Sequence, residues 1–408
     1  MLLGSEGKGS MRGLAGEKTL LKRLNRAAIL RLVWEQPGIS RSAVAAKIGI
    51  TKSTVSQLVA ELESERWLSS GSSDAGHAPG RPSIPLTLNA DQLVLIGVEL
   101  GLESINAVAV DPFGRVLAQS KVKGRHVRVE VALKQLAKVL KTLRSNPALS
   151  GRTLLGMGVG VPGPVDVGRG LLLHAPNQGW KNMPIQQMIL AQIPDIPRVF
   201  VDNDANLAAF AEYMFGAHKH SADLLYLYLN DGIGGGLILE HGLYRGRLGF
   251  AGEVGHMNVL PDGARCSCGS RGCAETLLSW RSVQATVKRL TGVEMDVPEM
   301  LEALRGGNED LRRAIQQTGT YLGIFLGSLA NIFDPKLLIV GGPIAELGDA
   351  ILAPALLEMN SRMFGAEFRR VTVERCAFST NACAIGAAGY AFHDLLQNKT
   401  DDLPTLEF

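Results

Sequence analysis

The stretch LYLYLNDGIGGGLIL, running from Leu225 to Leu239, constrains the fold more than any other part of the chain. An apolar run of strand type enters four glycines within five residues and leaves through a second apolar run. Such a run is a buried strand, and buried strands belong to a sheet that helices cover. Glycines clustered after a strand mark places where a backbone approaches a phosphate closely, because no Cβ stands in the way. The pair Asn230-Asp231 just ahead of them puts a carboxylate where that phosphate would lie.

The same succession occurs twice. VLIGVELG and INAVAVDPFGRVLAQSKV read as three strands with a turn at Asp111-Pro112-Phe113-Gly114, followed by a helix over about 129–143. LLGMGVGVPG is a buried strand, and RVFVDNDANLAAFAEYMFG is a strand turning directly into a helix. The second round opens at LLYLYLNDGIGGGLIL and closes with KLLIVGGPIAELGD and VTVERC. Two rounds of strands then helices predict an α/β body of two lobes. A length of 408 residues, 46 % apolar and 20 % charged, suits two or three globular domains.

The chain ahead of that body is different. Residues 1–85 carry 12 Lys/Arg against 7 Asp/Glu, and the remainder is net negative by two. A basic front end on a near-neutral body points to a localised anionic partner. A helix over about 18–34 stops at Gln36-Pro37-Gly38. In ISRSAVAAKIGITKSTVSQLVAELESERWL, Ser40 caps a short helix, Gly49 makes the turn, and Thr51 to Ser53 cap a second helix. This is helix-turn-helix spacing, and the polar Gly/Pro-rich segment after Trp67 reads as a wing and linker. On this reading Lys52, Ser53, Thr54 and Gln57 reach base edges and phosphates of double-stranded operator DNA. Arg41 and Ser42 touch its backbone, and Arg81 enters a minor groove.

Three of the five cysteines fall within eight residues of GHMNVLPDGARCSCGSRGC. His256, Cys266, Cys268 and Cys273 offer one imidazole and three thiolates, a set that suits a structural, tetrahedral Zn2+. Such crowding favours metal ligation in a reducing compartment over disulfides. No apolar run approaches a membrane span and no signal peptide is evident, so a cytoplasmic protein without a membrane partner is expected. Asn203 and Asp204 fall where a buried strand meets a helix, the end of an α/β sheet where ligands bind. Glu253 and Glu275 bracket the cysteine loop.

Together these features resemble the ROK family of repressors and sugar kinases over about 20–396, most specifically in GHMNVLPDGARCSCGSRGCAE. The resemblance implies a winged helix-turn-helix followed by a two-lobed, actin-like (ribonuclease H-like) body. The expected division is 1–85 for the head and linker, 86–203 for the first lobe with a returning helix over 381–398, and 204–380 for the second. The zinc loop over 256–273 belongs to that second lobe. The resemblance also implies monosaccharide contacts at Asn203, Asp204, Glu253, His256 and Glu275, with Asn177 on a further sugar-side loop. In the family's kinases the residue at Asp204 is the catalytic base. The phosphate loops depart from the kinase pattern: Glu99-Leu100-Gly101-Leu102-Glu103 lacks the glycine pair and hydroxyl, and Asn230-Asp231 replaces Gly-Thr. The expectation is a non-enzymatic, sugar-responsive regulator of xylose-repressor type, released from its operator by xylose, glucose or an N-acetylated hexosamine. A sugar kinase with an appended DNA-binding domain is the alternative. A homodimer or homotetramer is expected, with a regulatory protein partner a further possibility.

Overall fold

A computed structural model describes residues 7–71 and 84–397, with side chains from residue 19 onward. Arg81 therefore lies outside the described residues.

The head comprises α1 (Gly7–Glu35), β1 (Ile39–Ser40), α2 (Arg41–Ile48), α3 (Lys52–Ser64), β2 (Leu68–Ser70) and β3 (Pro85–Leu88). Local chemistry sets its geometry. Ser40 Oγ accepts the amide of Ala43 at 3.2 Å, and Thr51 Oγ1 accepts that of Thr54 at 3.2 Å. Gly49 closes α2 in the left-handed region at φ 76°, where a side chain would be strained. The strands pair in the order β1-β3-β2. Val55, Leu58, Val59 and Leu62 form the buried stripe of α3. Lys22 and Arg26 of α1 reach Glu61 and Glu65 of α3 and fix the two helices together.

The first half of the body contains β4 (Leu93–Leu100), β5 (Ser104–Val110), β6 (Val116–Lys123), α4 (Val129–Arg144) and β7 (Thr153–Val161). Next come β8 (Val165–Asp166), β9 (Leu171–Ala175), β10 (Trp180–Met183), α5 (Ile185–Gln192), β11 (Val199–Asn203) and α6 (Asp204–Phe215). The second half follows with β12 (Leu224–Leu229), β13 (Ile233–Leu239), β14 (Gly242–Leu243), α7 (Glu275–Leu278), α8 (Trp280–Thr291) and α9 (Val297–Arg305). It continues through α10 (Glu309–Phe333), β15 (Leu337–Gly341), α11 (Asp349–Arg362), β16 (Thr372–Arg375) and α12 (Ala382–Gln397).

The two main sheets have the same plan. The first runs β11-β7-β4-β5-β6 and the second β14-β13-β12-β15-β16, each with two antiparallel and two parallel neighbour pairings. Between them lie two helices: α12 packs on β4 and β7, α6 packs on β12 and β13, and the helices pack on each other. Small residues make this sandwich thin. A Cβ on Gly97 would collide with the carbonyl of Ala384, one on Gly386 with that of Leu207, and one on Gly236 with that of Ala205. Gly234 to Gly236 are thus strand residues of β13 under α6, and the hairpin turn is Asn230 to Gly232. The glycine cluster that suggested a phosphate loop gives a helix room to approach.

Head and body share apolar packing. Trp34 of α1 lies edge-on to Phe392 of α12 at 4.9 Å, and its indole N–H donates to Pro112 O at 2.6 Å. No helix among the described residues is long and apolar enough to cross a membrane.

Candidate functional site: an interlobe cleft beside a cysteine loop

The carboxyl ends of β4, β11 and β12 meet between the lobes and open on a cleft of about 730 Å³, its mouth included. Ends of adjoining strands are where open α/β sheets leave space for a ligand. The structure brings Asn177, Asn203, Asp204, Glu253, His256 and Glu275 together around this one cleft. They come from the β9–β10 turn, the β11–α6 junction, the loop after β14, and the start of α7.

Each is held by its surroundings. Asn203 caps α6: its side-chain oxygen accepts the amide of Asn206 at 3.0 Å while its amide nitrogen donates to Gly163 O at 3.2 Å. Asp204 is the first residue of α6, and its carboxylate accepts the amide of Ala205 at 2.8 Å. Burial, reinforced by the charge of Glu99, pushes the Asp204 carboxyl up to about 8. Burial next to Glu275 likewise raises Glu253 to about 7. Glu275 also accepts the amide of Ile233 at 3.3 Å, which ties α7 to the start of β13.

Sequence reasoning missed the part that Glu99 and Tyr228 play in shaping the cleft. Glu99, read above only as part of an altered phosphate loop, is a buried carboxylate at the end of β4. It accepts the Tyr228 hydroxyl at 2.7 Å and the Asn230 side-chain amide at 3.3 Å. A buried strand ending in an acid was the signal for Glu99; nothing local signalled Tyr228 as its partner. Leu102, from the same altered loop, is 4 % exposed and lines the cleft. Glu103 faces a second, adjoining cavity with Asp231, Lys121 and Lys123, and pairs with Arg281 at 2.9 Å.

Next to the cleft, His256, Cys266, Cys268 and Cys273 place their ligand atoms within 4.8 Å of one another, a cluster that could hold a metal ion. His256 Nδ1 faces Cys266 Sγ at 3.6 Å, and its Nε2 faces Glu253 at 3.9 Å. One imidazole thus joins the cluster to the cleft. Gly272 holds φ 64°, and a Cβ there would collide with the carbonyl of Leu260, so the loop closes only with glycine.

In the head, Lys52, Ser53 and Gln57 are exposed along α3 with Thr54 half-buried beside them. Ser42 bonds Ser40 Oγ at 3.0 Å. Arg41 is engaged within the head, pairing with Glu63 at 3.0 Å and donating to Ser70 Oγ at 3.3 Å.

Residues 95–393 match the ROK family, and residues 23–68 match a winged helix-turn-helix DNA-binding family. The chain belongs to the ROK family. Among its relatives is the xylose repressor of Caldicellulosiruptor bescii, 30 % identical over 402 residues, spanning 93 % of this chain and 98 % of that one. A ROK family glucokinase from Streptomyces griseus, solved with glucose and AMPPNP, superposes with a TM-score of 0.67 at 31 % identity. That likeness covers 74 % of this chain and 99 % of the glucokinase, leaving the head without a counterpart. A ROK family transcriptional regulator, a homologue of the Escherichia coli MLC protein, has a TM-score of 0.77 at 22 % identity. It covers 93 % of this chain and 99 % of its own, so the likeness in fold extends over both head and body.

Proposed function

We propose that this protein is a sugar-responsive, DNA-binding transcriptional repressor whose interlobe cleft binds a neutral monosaccharide. The observation that carries the reading is the cleft's lining. It presents five carboxylates, from Glu99, Asp204, Asp231, Glu253 and Glu275, three asparagines and one imidazole, and no lysine or arginine. Such a set accepts and donates hydrogen bonds to hydroxyl groups and repels a phosphorylated sugar. Asn177, Asn203, Asp204, Glu253, His256 and Glu275 are the proposed contacts, and D-xylose is the first candidate because relatives spanning head and body are named xylose repressors.

A Zn2+ ion fits the cysteine loop. Tetrahedral bonds of about 2.3 Å to sulfur and about 2.0 Å to nitrogen require S···S spacings near 3.8 Å and S···N spacings near 3.5 Å. Cys268 Sγ and Cys273 Sγ are 3.7 Å apart, and Cys266 Sγ is 3.6 Å from His256 Nδ1. The ion would be structural, its four positions filled by protein. Its contribution is to fix His256 with Nε2–H turned toward the cleft.

The adjoining cavity is a degenerate phosphate site in this proposal. Glu99, Glu103 and Asp231 oppose a triphosphate more than Lys121 and Lys123 attract it. The β13 amide of Ile233 is already bonded to Glu275. In the head, α3 would lie in the major groove, with Lys52, Ser53, Thr54 and Gln57 foremost and Arg41, Ser42 and Arg81 on the backbone or in the minor groove. The division at residues 85 and 203, with α12 returned to the first lobe, belongs to the same proposal, as does a cytoplasmic homodimer on a palindromic site. Sugar would favour a closed body and alter the spacing of the two heads; moving the protein from mostly bound to mostly released requires about 5.5 kcal/mol of unequal sugar affinity.

The test uses a duplex selected by the full chain from a randomised pool, titrated with D-xylose, D-glucose and N-acetyl-D-glucosamine. One of these is expected to raise the melting temperature and weaken the complex. Turnover of the same sugars with ATP above background, abolished by Asp204→Asn, would overturn the reading in favour of a kinase.

A further inference from the structure

Away from the cleft lining, a buried ion pair joins the two lobes. Asp202, the penultimate residue of β11, is 1 % exposed. Its Oδ2 accepts Arg245 Nε at 2.9 Å and Nη2 at 2.7 Å. Its Oδ1 accepts the amide of Asn203 at 2.7 Å and the side-chain amide of Asn206 at 3.3 Å. The carboxylate that holds Arg245 therefore also holds the turn that carries Asn203 and Asp204 into the cleft.

Arg245 comes from the second lobe, two residues beyond β14, at the start of the loop that ends at Glu253. That loop closes on itself through Ala251 N to Arg245 O at 3.2 Å. It also rests on the first lobe, where a Cβ on Gly249 would collide with Val165 O. The guanidinium lies 5.1 Å from the centre of the Tyr390 ring of α12. Tyr390 stacks on Phe200 of β11 at 4.5 Å and meets Phe210 of α6 at 4.7 Å. His393, one turn on, meets Phe210 at 5.4 Å and Trp34 of the head at 6.4 Å. An unbroken run of side chains joins the cleft wall to α1.

We propose that Arg245 is a positioning residue that transmits sugar occupancy of the cleft to α12 and through it to the DNA-binding head. The inference rests on the sugar-responsive reading above. Sugar bridging Asn203 on one lobe and Glu253 on the other moves both ends of the Arg245 clasp relative to one another. A forked, buried ion pair does not stretch; it either draws its partners along or breaks. Tyr390, under the guanidinium, takes up that displacement, and its neighbours carry it along α12. Coupling between distant sites runs through packed chains and ion pairs that have two discrete arrangements.

The test separates sugar binding from sugar response. Arg245→Lys keeps the charge and loses the fork, Tyr390→Leu removes the aromatic platform and keeps the ion pair, and Tyr390→Phe keeps the ring. For each full-length variant, affinity for D-xylose, D-glucose and N-acetyl-D-glucosamine is measured calorimetrically. Affinity for the selected duplex is measured with and without the sugar that releases the wild type. Expected for Arg245→Lys and Tyr390→Leu are sugar affinities within about threefold of wild type and a release ratio reduced at least tenfold, with Tyr390→Phe near wild type. A wild-type release ratio in either of the first two overturns the proposal. Tyr390→Leu decides alone if Arg245→Lys does not fold. A wild type that none of the three sugars releases overturns the functional reading first, and the inference with it.

Discussion

Asp204 shows how a buried carboxyl in the cleft opposes stability. An aspartate in the unfolded chain titrates near 3.9, whereas burial and the neighbouring charge of Glu99 hold Asp204 up to about 8. Between those values the folded state binds the extra proton, so this residue's contribution to stability falls as pH rises from about 4 to about 8. The groups facing it are Glu99 from β4, Glu253 from the loop after β14, and the Cys383 thiol of α12. Asp204→Asn keeps the shape and abolishes the titration. Thermal melts of the two proteins from pH 4 to 9 should show the variant a few degrees more stable at pH 8, with the difference vanishing near pH 4. At pH 9, where Asp204 is ionised, the variant's melting shift with D-xylose should be lost, because an amide cannot replace both acceptor oxygens. A variant melting at or below wild type at pH 8 would show that burial is not what holds the proton.

At the scale of elements, what could be read from the sequence was whatever is local. Ser40, Gly49 and Thr51 declare the two short helices of the head because a cap and its amide are three residues apart. The cysteine loop is legible for the same reason, its ligands crowding into one turn of chain. Long-range pairs were not legible. Tyr228 meets Glu99 across 129 positions, and Arg245 meets Asp202 across 43. Glycines 234 to 236 are conspicuous in the sequence, but the helix they accommodate is not. Two predictions belong here. Gly386→Ala should push α12 off the carbonyl of Leu207, costing about 1–3 kcal/mol or more by overpacking. It should lower the melting temperature without altering bound metal, measured by elemental analysis. Cys268→Ser should do the opposite: metal content falls, and D-xylose binds at least tenfold more weakly because His256 loses its anchor. Unchanged xylose affinity in metal-free protein would detach the loop from the cleft.

Over the whole molecule, the head is not a bead on a string. Ile29, Leu30, Val33 and Trp34 of α1 pack in one apolar cluster with Leu93 and Leu95 of β4 and with Phe392, Leu395 and Leu396 of α12. The helix that touches α3 on one side therefore touches, on the other, the helix sandwiched between the two sheets. On the proposed mechanism, sliding of the lobes around a bound sugar would displace α12, and the head would ride on it. Trp34 is the largest side chain at this seam, 4 % exposed and bonded to the β5–β6 turn through Pro112 O. Replacing a buried aromatic with alanine removes about 3–5 kcal/mol of packing, here from docking rather than from either core. Trp34→Ala should split one calorimetric transition into two, with the head melting below the body. The body's melting shift with D-xylose should survive, while the sugar's power to release the selected duplex should fall at least tenfold. One shared transition with wild-type release would place the link between sugar and DNA elsewhere than the seam between α1 and α12.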